Sequence, residues 1–157
     1  MKKLFLIALM GIMAGSSAFA AKVGDSATYA ITGYQGLDGV VNTVTAIDAT
    51  TGDYTVDSTY LLTGGQTQKE TGTVPASAII LDDNLLSQIA ALCGAAGGTV
   101  EQITVKAGTF DTCKLENADI NGYTWLGDVS FGIVKSEGTD TNSGAAFTME
   151  LTSFVRN

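Results

Sequence analysis

The chain contains no histidine, and this absence removes more chemistry than any other feature of its 157 residues. Without imidazole the commonest general base is missing, and neither a serine nor a cysteine triad of the usual kind can be assembled. Soft metal ligands are equally scarce, because Cys93 and Cys113 are the only cysteines, so neither a metal site nor a cofactor is expected. Basic residues are few: eight lysines and arginines stand against sixteen aspartates and glutamates. Nucleic-acid binding needs a basic stripe that displaces counterions from phosphates, and scattered cations do not provide one. Long apolar runs are lacking too. Leu4–Met13 is shorter than the roughly 20 residues a helix needs to cross a bilayer, and no later stretch is long enough, so no stable membrane span is expected.

What is present begins with MKKLFLIALMGIMAGSSAFA, in which Lys2 and Lys3 precede the apolar run and small residues end in Ala18-Phe19-Ala20. This is the layout of a cleaved secretory signal, with cleavage expected after Ala20. No cysteine follows the run before Cys93, so nothing stands where a bacterial lipoprotein would take its lipid. The expected location is periplasmic or secreted. Residues 21–157 fit one domain. They keep six basic residues against sixteen acidic ones, a net charge of −10, which favours solubility through self-repulsion.

In an oxidising compartment two cysteines are usually a disulfide, so Cys93 and Cys113 are expected to pair. Around Cys93 the pattern is helical. Asp82 or Asp83 can cap a helix, Leu85, Leu86, Ile89, Leu92 and Cys93 repeat on one face, and Gly94 can end it. Closing a loop of about 20 residues would contribute roughly 3 kcal/mol. A reactive thiolate at Cys113 would need a basic neighbour, and strand alternation turns Lys114 the other way.

The rest of the chain has the period of two expected of strands. Tyr29 and Ile31 alternate with small or polar residues, as do Tyr54, Val56, Tyr60 and Leu62, and again Phe147, Met149 and Leu151. Val40–Ile47 is apolar on both faces and reads as covered twice. Thr67–Val74 is polar on both and reads as an edge strand, closed by Pro75. Turn chemistry falls at Asp48–Asp53, at Gly64-Gly65, at Asn121-Gly122 as a two-residue hairpin turn, and at Gly138–Gly144. The pattern describes a mainly β, α+β domain: a curved antiparallel sheet or half-barrel of about eight or nine strands with one short amphipathic helix. Four strong helix hydrophobes shield only part of such a sheet. Its concave side must therefore be closed, met by a partner or filled by a ligand.

Catalytic readings are weak. Ser136 and Lys135 are adjacent in a strand and so face opposite ways, and Asp82-Asp83 suits a helix cap better than a carboxylate pair. Asp48–Asp57 lacks the ligand spacing of a calcium loop. Phe131, Ile133 and Lys135 read as one face of a strand, with Lys135 either paired to an acid such as Glu137 or Glu150 or snorkelling at the surface. Aromatic residues give the best indication of binding. Tyr29, Tyr54, Tyr60, Trp125 and Phe147 are the candidate ligand-binding residues, because rings with polar tips in a half-open barrel suit an amphipathic molecule.

Three stretches, ITVKAGTFDTCKLE, YTWLGDVSFGIVKSEG and FTMELTSF, together resemble an uncharacterised exported bacterial family sometimes labelled TapB-like. It is similar in turn to the half-barrels of the lipoprotein carriers LolA and LolB. The match covers roughly Thr99 to Phe154 and rests on the order of Gly108, Phe110, Trp125, Gly132, Lys135 and Leu151, with Lys106 where the pattern often has proline. The resemblance implies a curved antiparallel sheet with helical cover whose concave side, in the carriers, holds acyl chains. It implies no catalytic residues. The expectation is an exported, monomeric, non-catalytic protein that holds a lipid or other hydrophobic small molecule, or meets an envelope protein; the alternative is an interaction module whose concave side is filled by its own side chains.

Overall fold

The computed structural model describes residues 21–78, 83–141 and 143–157. The leader, its cleavage point after Ala20 and the candidate cap Asp82 lie outside them. The chain starts with a four-stranded meander, β1 (Ser26–Thr32), β2 (Leu37–Ile47), β3 (Tyr54–Leu62) and β4 (Gln66–Val74). Two short helical segments follow, α1 (Asp83–Ser87) and α2 (Ile89–Leu92). A second meander ends the chain: β5 (Thr99–Val105), β6 (Gly108–Asn117), β7 (Gly122–Leu126), β8 (Ile133–Thr139) and β9 (Ala146–Val155). Pairing of β1 with β9 joins the meanders into one antiparallel nine-stranded sheet, in the order β4-β3-β2-β1-β9-β8-β7-β6-β5. The two ends, β4 and β5, are not paired with each other, so the sheet is an open half-barrel.

The burial of each strand follows its alternation. In β3, Tyr54, Val56 and Ser58 are buried while Thr55, Asp57 and Thr59 are half-buried. In β4 every residue but Val74 is exposed, and this polar strand is indeed an edge. Charged side chains at an edge discourage pairing with other chains; Lys69 Nζ lies 2.7 Å from Asp57 Oδ2 on that side. One expectation for β2 changes. Val40 and Val44 are buried but Val41 is only half-buried and Ile47 is exposed, so β2 is covered on one face and not two.

The expected helix is present but divided. It breaks at Gln88 (φ −107°, ψ 4°), whose side-chain amide donates to the Asn84 carbonyl at 3.2 Å. Side chains that hydrogen-bond nearby backbone in this way compete with the helical ladder. Leu86, Ile89 and Cys93 are buried whereas Leu92 is 39% exposed, so the covering face is narrower than the sequence implies. Nor does Gly94 reverse the chain. The left-handed residue is Gly97 at φ 78°, and the Gly98 N–H donates to the Cys93 carbonyl at 2.9 Å. Cys93 and Cys113 form the expected disulfide, with their Cα atoms 5.3 Å apart, tying α2 to β6.

Two turns also differ. The β6–β7 connection is a four-residue loop in place of a two-residue turn: Asn117 pairs with Gly122, Ala118–Ile120 form a 3-10 turn, and Asn121 alone is left-handed at φ 44°. Asn117 favours this shape because its side-chain oxygen accepts from the Asp119 N–H at 3.1 Å, capping the turn. In β8, Trp125 pairs with Lys135 but Leu126 pairs with Ile133, leaving Val134 as an extra residue. Such a bulge reverses the facing of everything beyond it. Ile133 and Lys135, expected on one face, therefore lie on opposite faces.

Candidate functional site

The inner face of the sheet is built by cross-strand rows. Tyr29 of β1 faces Val40 of β2, which faces Tyr60 of β3. One row away Asn42 faces Ser58, and on the other side of β1 Ile31 faces Met149 of β9. The β7–β8 loop brings in Phe131, a buried phenylalanine in the left-handed region at φ 62°, followed by Gly132 at φ 65°. Bulky side chains seldom adopt that conformation, and its presence beside a cavity fits the tendency of backbone strain to gather at functional sites.

These residues enclose a cleft with a cavity of about 150 Å³. Its wall is mainly apolar, with Ile31, Leu37, Val40, Val56, Ile133 and Met149. Tyr29, Tyr34, Tyr60, Phe131 and Phe147 contribute rings, and Tyr34 meets Phe147 edge-on at 6.1 Å. Part of the inner face is polar but satisfied. Ser58 Oγ donates to Asn42 Oδ1 at 2.8 Å. Under the 3-10 turn, Asn117 Nδ2 donates to Thr124 Oγ1 at 3.1 Å, and Thr124 lies 3.2 Å from Ser136 Oγ. This buried ladder holds the turn that carries Asp119 and Ile120 to the cleft rim.

Tyr29 is different. It lines the cleft, is 2% exposed, and among the described residues its hydroxyl is the buried side-chain oxygen without a hydrogen-bond partner. Burial pushes its phenol well above the usual tyrosine range. Tyr60 is raised by burial and by the charge of Glu70, against a hydrogen bond with Ser58 that lowers it. Tyr34 is raised by burial and then by Asp140. All three are neutral hydrogen-bonding groups at neutral pH. The charged residues lining the cleft are Asp119 and Asp140, with no lysine or arginine among the described lining residues. Asp140 Oδ2 accepts from the Ser143 N–H at 3.1 Å and from Ser143 Oγ at 2.5 Å.

Of the five candidate ligand-binding residues, the fold brings Tyr29, Tyr60 and Phe147 together at the cleft and leaves two elsewhere. Tyr54 is buried on the inner face but beyond the cleft, paired with Val74. Trp125 is buried against the opposite face, where its indole N–H donates to Glu101. Lys114 Nζ lies 4.8 Å and Lys135 Nζ 5.0 Å from its ring centroid. Lys135 is also paired, 3.0 Å from Glu137 and 3.9 Å from Glu150. Among the residues the sequence did not single out, Asn42 and Ser58 carried a signal: polar side chains at inward positions between hydrophobes. Tyr34, Phe131, Asp119 and Asp140 come from loops and turns, where alternation says nothing. Among the described residues no group of histidine, cysteine, aspartate or glutamate could hold a metal ion, and no helix is long and apolar enough to cross a membrane.

No protein-family model matches the chain, and no curated protein matches it in sequence. Solved structures do share its fold. One, from Bacteroides fragilis, is described as a candidate exported protein with a YmcC-like fold: 12% identity, 88% of this chain and 98% of that one covered, TM-score 0.53. A candidate lipoprotein from Parabacteroides distasonis gives 14% identity, 87% and 97% coverage and a TM-score of 0.51. MucB in complex with MucA(peri) gives 12% identity and a TM-score of 0.50; 87% of this chain is matched but only 51% of MucB, so the chain spans about half of that protein's length. At these identities the likeness is one of fold. The YmcC-like and MucB half-barrels are what it is similar to, and neither LolA, LolB nor a TapB-like protein is among these relatives.

Proposed function

We propose that this chain is an exported, non-catalytic binding protein of the cell envelope that takes a small hydrophobic or amphipathic molecule into the cleft between β1–β3 and β8–β9. The observation that carries the reading is the cleft itself: about 150 Å³, apolar, ringed by aromatic side chains, with an unpartnered buried hydroxyl on its wall. Concave apolar sites with a few placed polar groups are the usual form of small-molecule sites. Export is supported by the leader-like residues Met1–Ala20, with the mature chain beginning at Ala21, by a disulfide of the kind that persists in oxidising compartments, and by fold relatives described as exported or lipoprotein. A catalytic role has little to work with, since the sequence lacks histidine. Cleft residues without a nucleophile–base pair suit holding better than chemistry.

Native mass spectrometry of the protein purified from its own envelope tests this. An added mass of a small molecule, lost when Met149→Trp fills the cleft, is the expected result. A bare chain in both forms would overturn it.

A second reading is that the half-barrel meets a partner protein. It is favoured by the fold shared with MucB, whose structure was determined in complex with MucA(peri). In that case crosslinking in the envelope would join the chain to one protein through cleft-rim positions such as Tyr34, and the cleft would carry no small molecule.

A further inference from the structure

Resting on the reading of the cleft as a small-molecule site, three features of its wall define the ligand more closely. Size is the first. A cavity of about 150 Å³ is what an engineered protein cavity needs to accept one benzene, so it encloses a single ring rather than a long chain. The wall is the second: Tyr29, Tyr34, Tyr60, Phe131 and Phe147 present ring faces and edges suited to another ring. Polarity is the third. The Tyr29 hydroxyl is buried without a partner, and a buried polar group left unpaired is costly, so a hydrogen bond to it is favoured. The charges lining the cleft are those of Asp119 and Asp140, and no cation lines it to neutralise an incoming anion.

We infer that the cleft takes a molecule with one flat ring and an uncharged hydrogen-bonding group that meets the Tyr29 hydroxyl, and that it rejects anionic amphiphiles such as fatty acids. This departs from acyl-chain carriage. Asp119 and Asp140 repel a carboxylate entering a low-dielectric site, and Tyr29 supplies the contact that distinguishes a ring with a hydroxyl from a ring without one. Tyr29 thus acts as a specificity-determining residue through a bond that an apolar ligand cannot use.

The test uses the intact mature protein and amide NMR titrations with benzyl alcohol, toluene, benzoate and octyl glucoside below its micellar concentration. Benzyl alcohol is expected to shift Tyr29, Val40, Ile133 and Met149, with benzoate at least tenfold weaker. In Tyr29→Phe, benzyl alcohol is expected to bind about threefold to tenfold more weakly, the range of one neutral hydrogen bond, while toluene is unchanged. The toluene titration also shows that the variant cleft is intact. Benzoate binding as well as benzyl alcohol, or Tyr29→Phe leaving benzyl alcohol unaffected, would overturn the inference but leave the cleft as a binding site. Octyl glucoside shifting these residues where the ring probes do not would also overturn it, in favour of an alkyl site. If none of the four probes perturbs the cleft, the proposed function falls with it.

Discussion

Asp25 Oδ1 accepts a hydrogen bond from the backbone N–H of Asn157 at 2.7 Å, joining the turn before β1 to the residue after β9. Asp25 is 1% exposed, and its other oxygen accepts from the Lys22 N–H at 2.8 Å. The carboxylate therefore closes the seam where the two meanders meet. Asp25→Ala is expected to lower stability by roughly 2–3 kcal/mol, because charged hydrogen bonds are lost and buried N–H groups are left unpaired. Urea unfolding would show it as a lower midpoint with an unchanged slope.

The disulfide should stabilise without being essential. Its sequence separation is 20, for which loop closure contributes about 3 kcal/mol. The Cys93→Ala/Cys113→Ala double variant is expected to melt lower but keep its far-ultraviolet β signature, because β5 and β6 remain paired through backbone bonds. Complete loss of that signature would mean that the covering helices are needed to form the sheet. Gly98 offers a second check: a Cβ there would lie 2.6 Å from Cys113 Sγ and 2.7 Å from Cys93 Sγ, so Gly98→Val should destabilise the oxidised protein more than the double variant.

Tyr29 sets an alkaline limit. Below pH 10 its phenol is protonated in both folded and unfolded chains and contributes no pH dependence. Above the ordinary value of 10.0 the unfolded chain releases the proton while burial holds it in the folded one, so stability falls as pH rises. Melting curves from pH 9 to 12 are expected to fall less steeply for Tyr29→Phe than for the parent. At pH 7 the same variant, relieved of an unpaired hydroxyl, should be as stable as the parent or more stable by about 1 kcal/mol. A stabilised variant that binds more weakly is the pattern expected of a group kept for function.

The two faces of the sheet should separate experimentally. Trp125→Leu removes a buried indole from the outer face and is expected to cost roughly 2–4 kcal/mol, yet leave benzyl alcohol affinity in the folded protein within twofold. Phe147→Ala, on the cleft, is expected to weaken binding severalfold. Titrations of both variants below their melting temperatures check this, and a large effect of Trp125→Leu on affinity would contradict the placement of its ring.

Much of this architecture could be read from alternation alone. Tyr54, Val56 and Ser58 point inward because strand residues two apart share a face, and the all-polar Thr67–Val74 could only be an edge because neither side could be buried. The pairing of Cys93 with Cys113 followed from their being the only cysteines in an exported chain. These features depend on neighbours in sequence or on counting, so local chemistry suffices.

What lay beyond reach depends on contacts between distant residues. One extra residue at Val134 separates Ile133 from Lys135, and no periodicity announces a bulge that exists only because β7 pairs on one side of it. Trp125 and Tyr29 look alike in a pattern of apolar positions. Strand register places one under two lysines on the outer face and the other at the cleft, and register is decided by pairing across the whole sheet. The cleft itself is assembled from β1, β2, β3, β8 and β9 with two loops, and its volume and its unpaired hydroxyl arise only when those segments pack, since packing alone settles which polar atoms find partners.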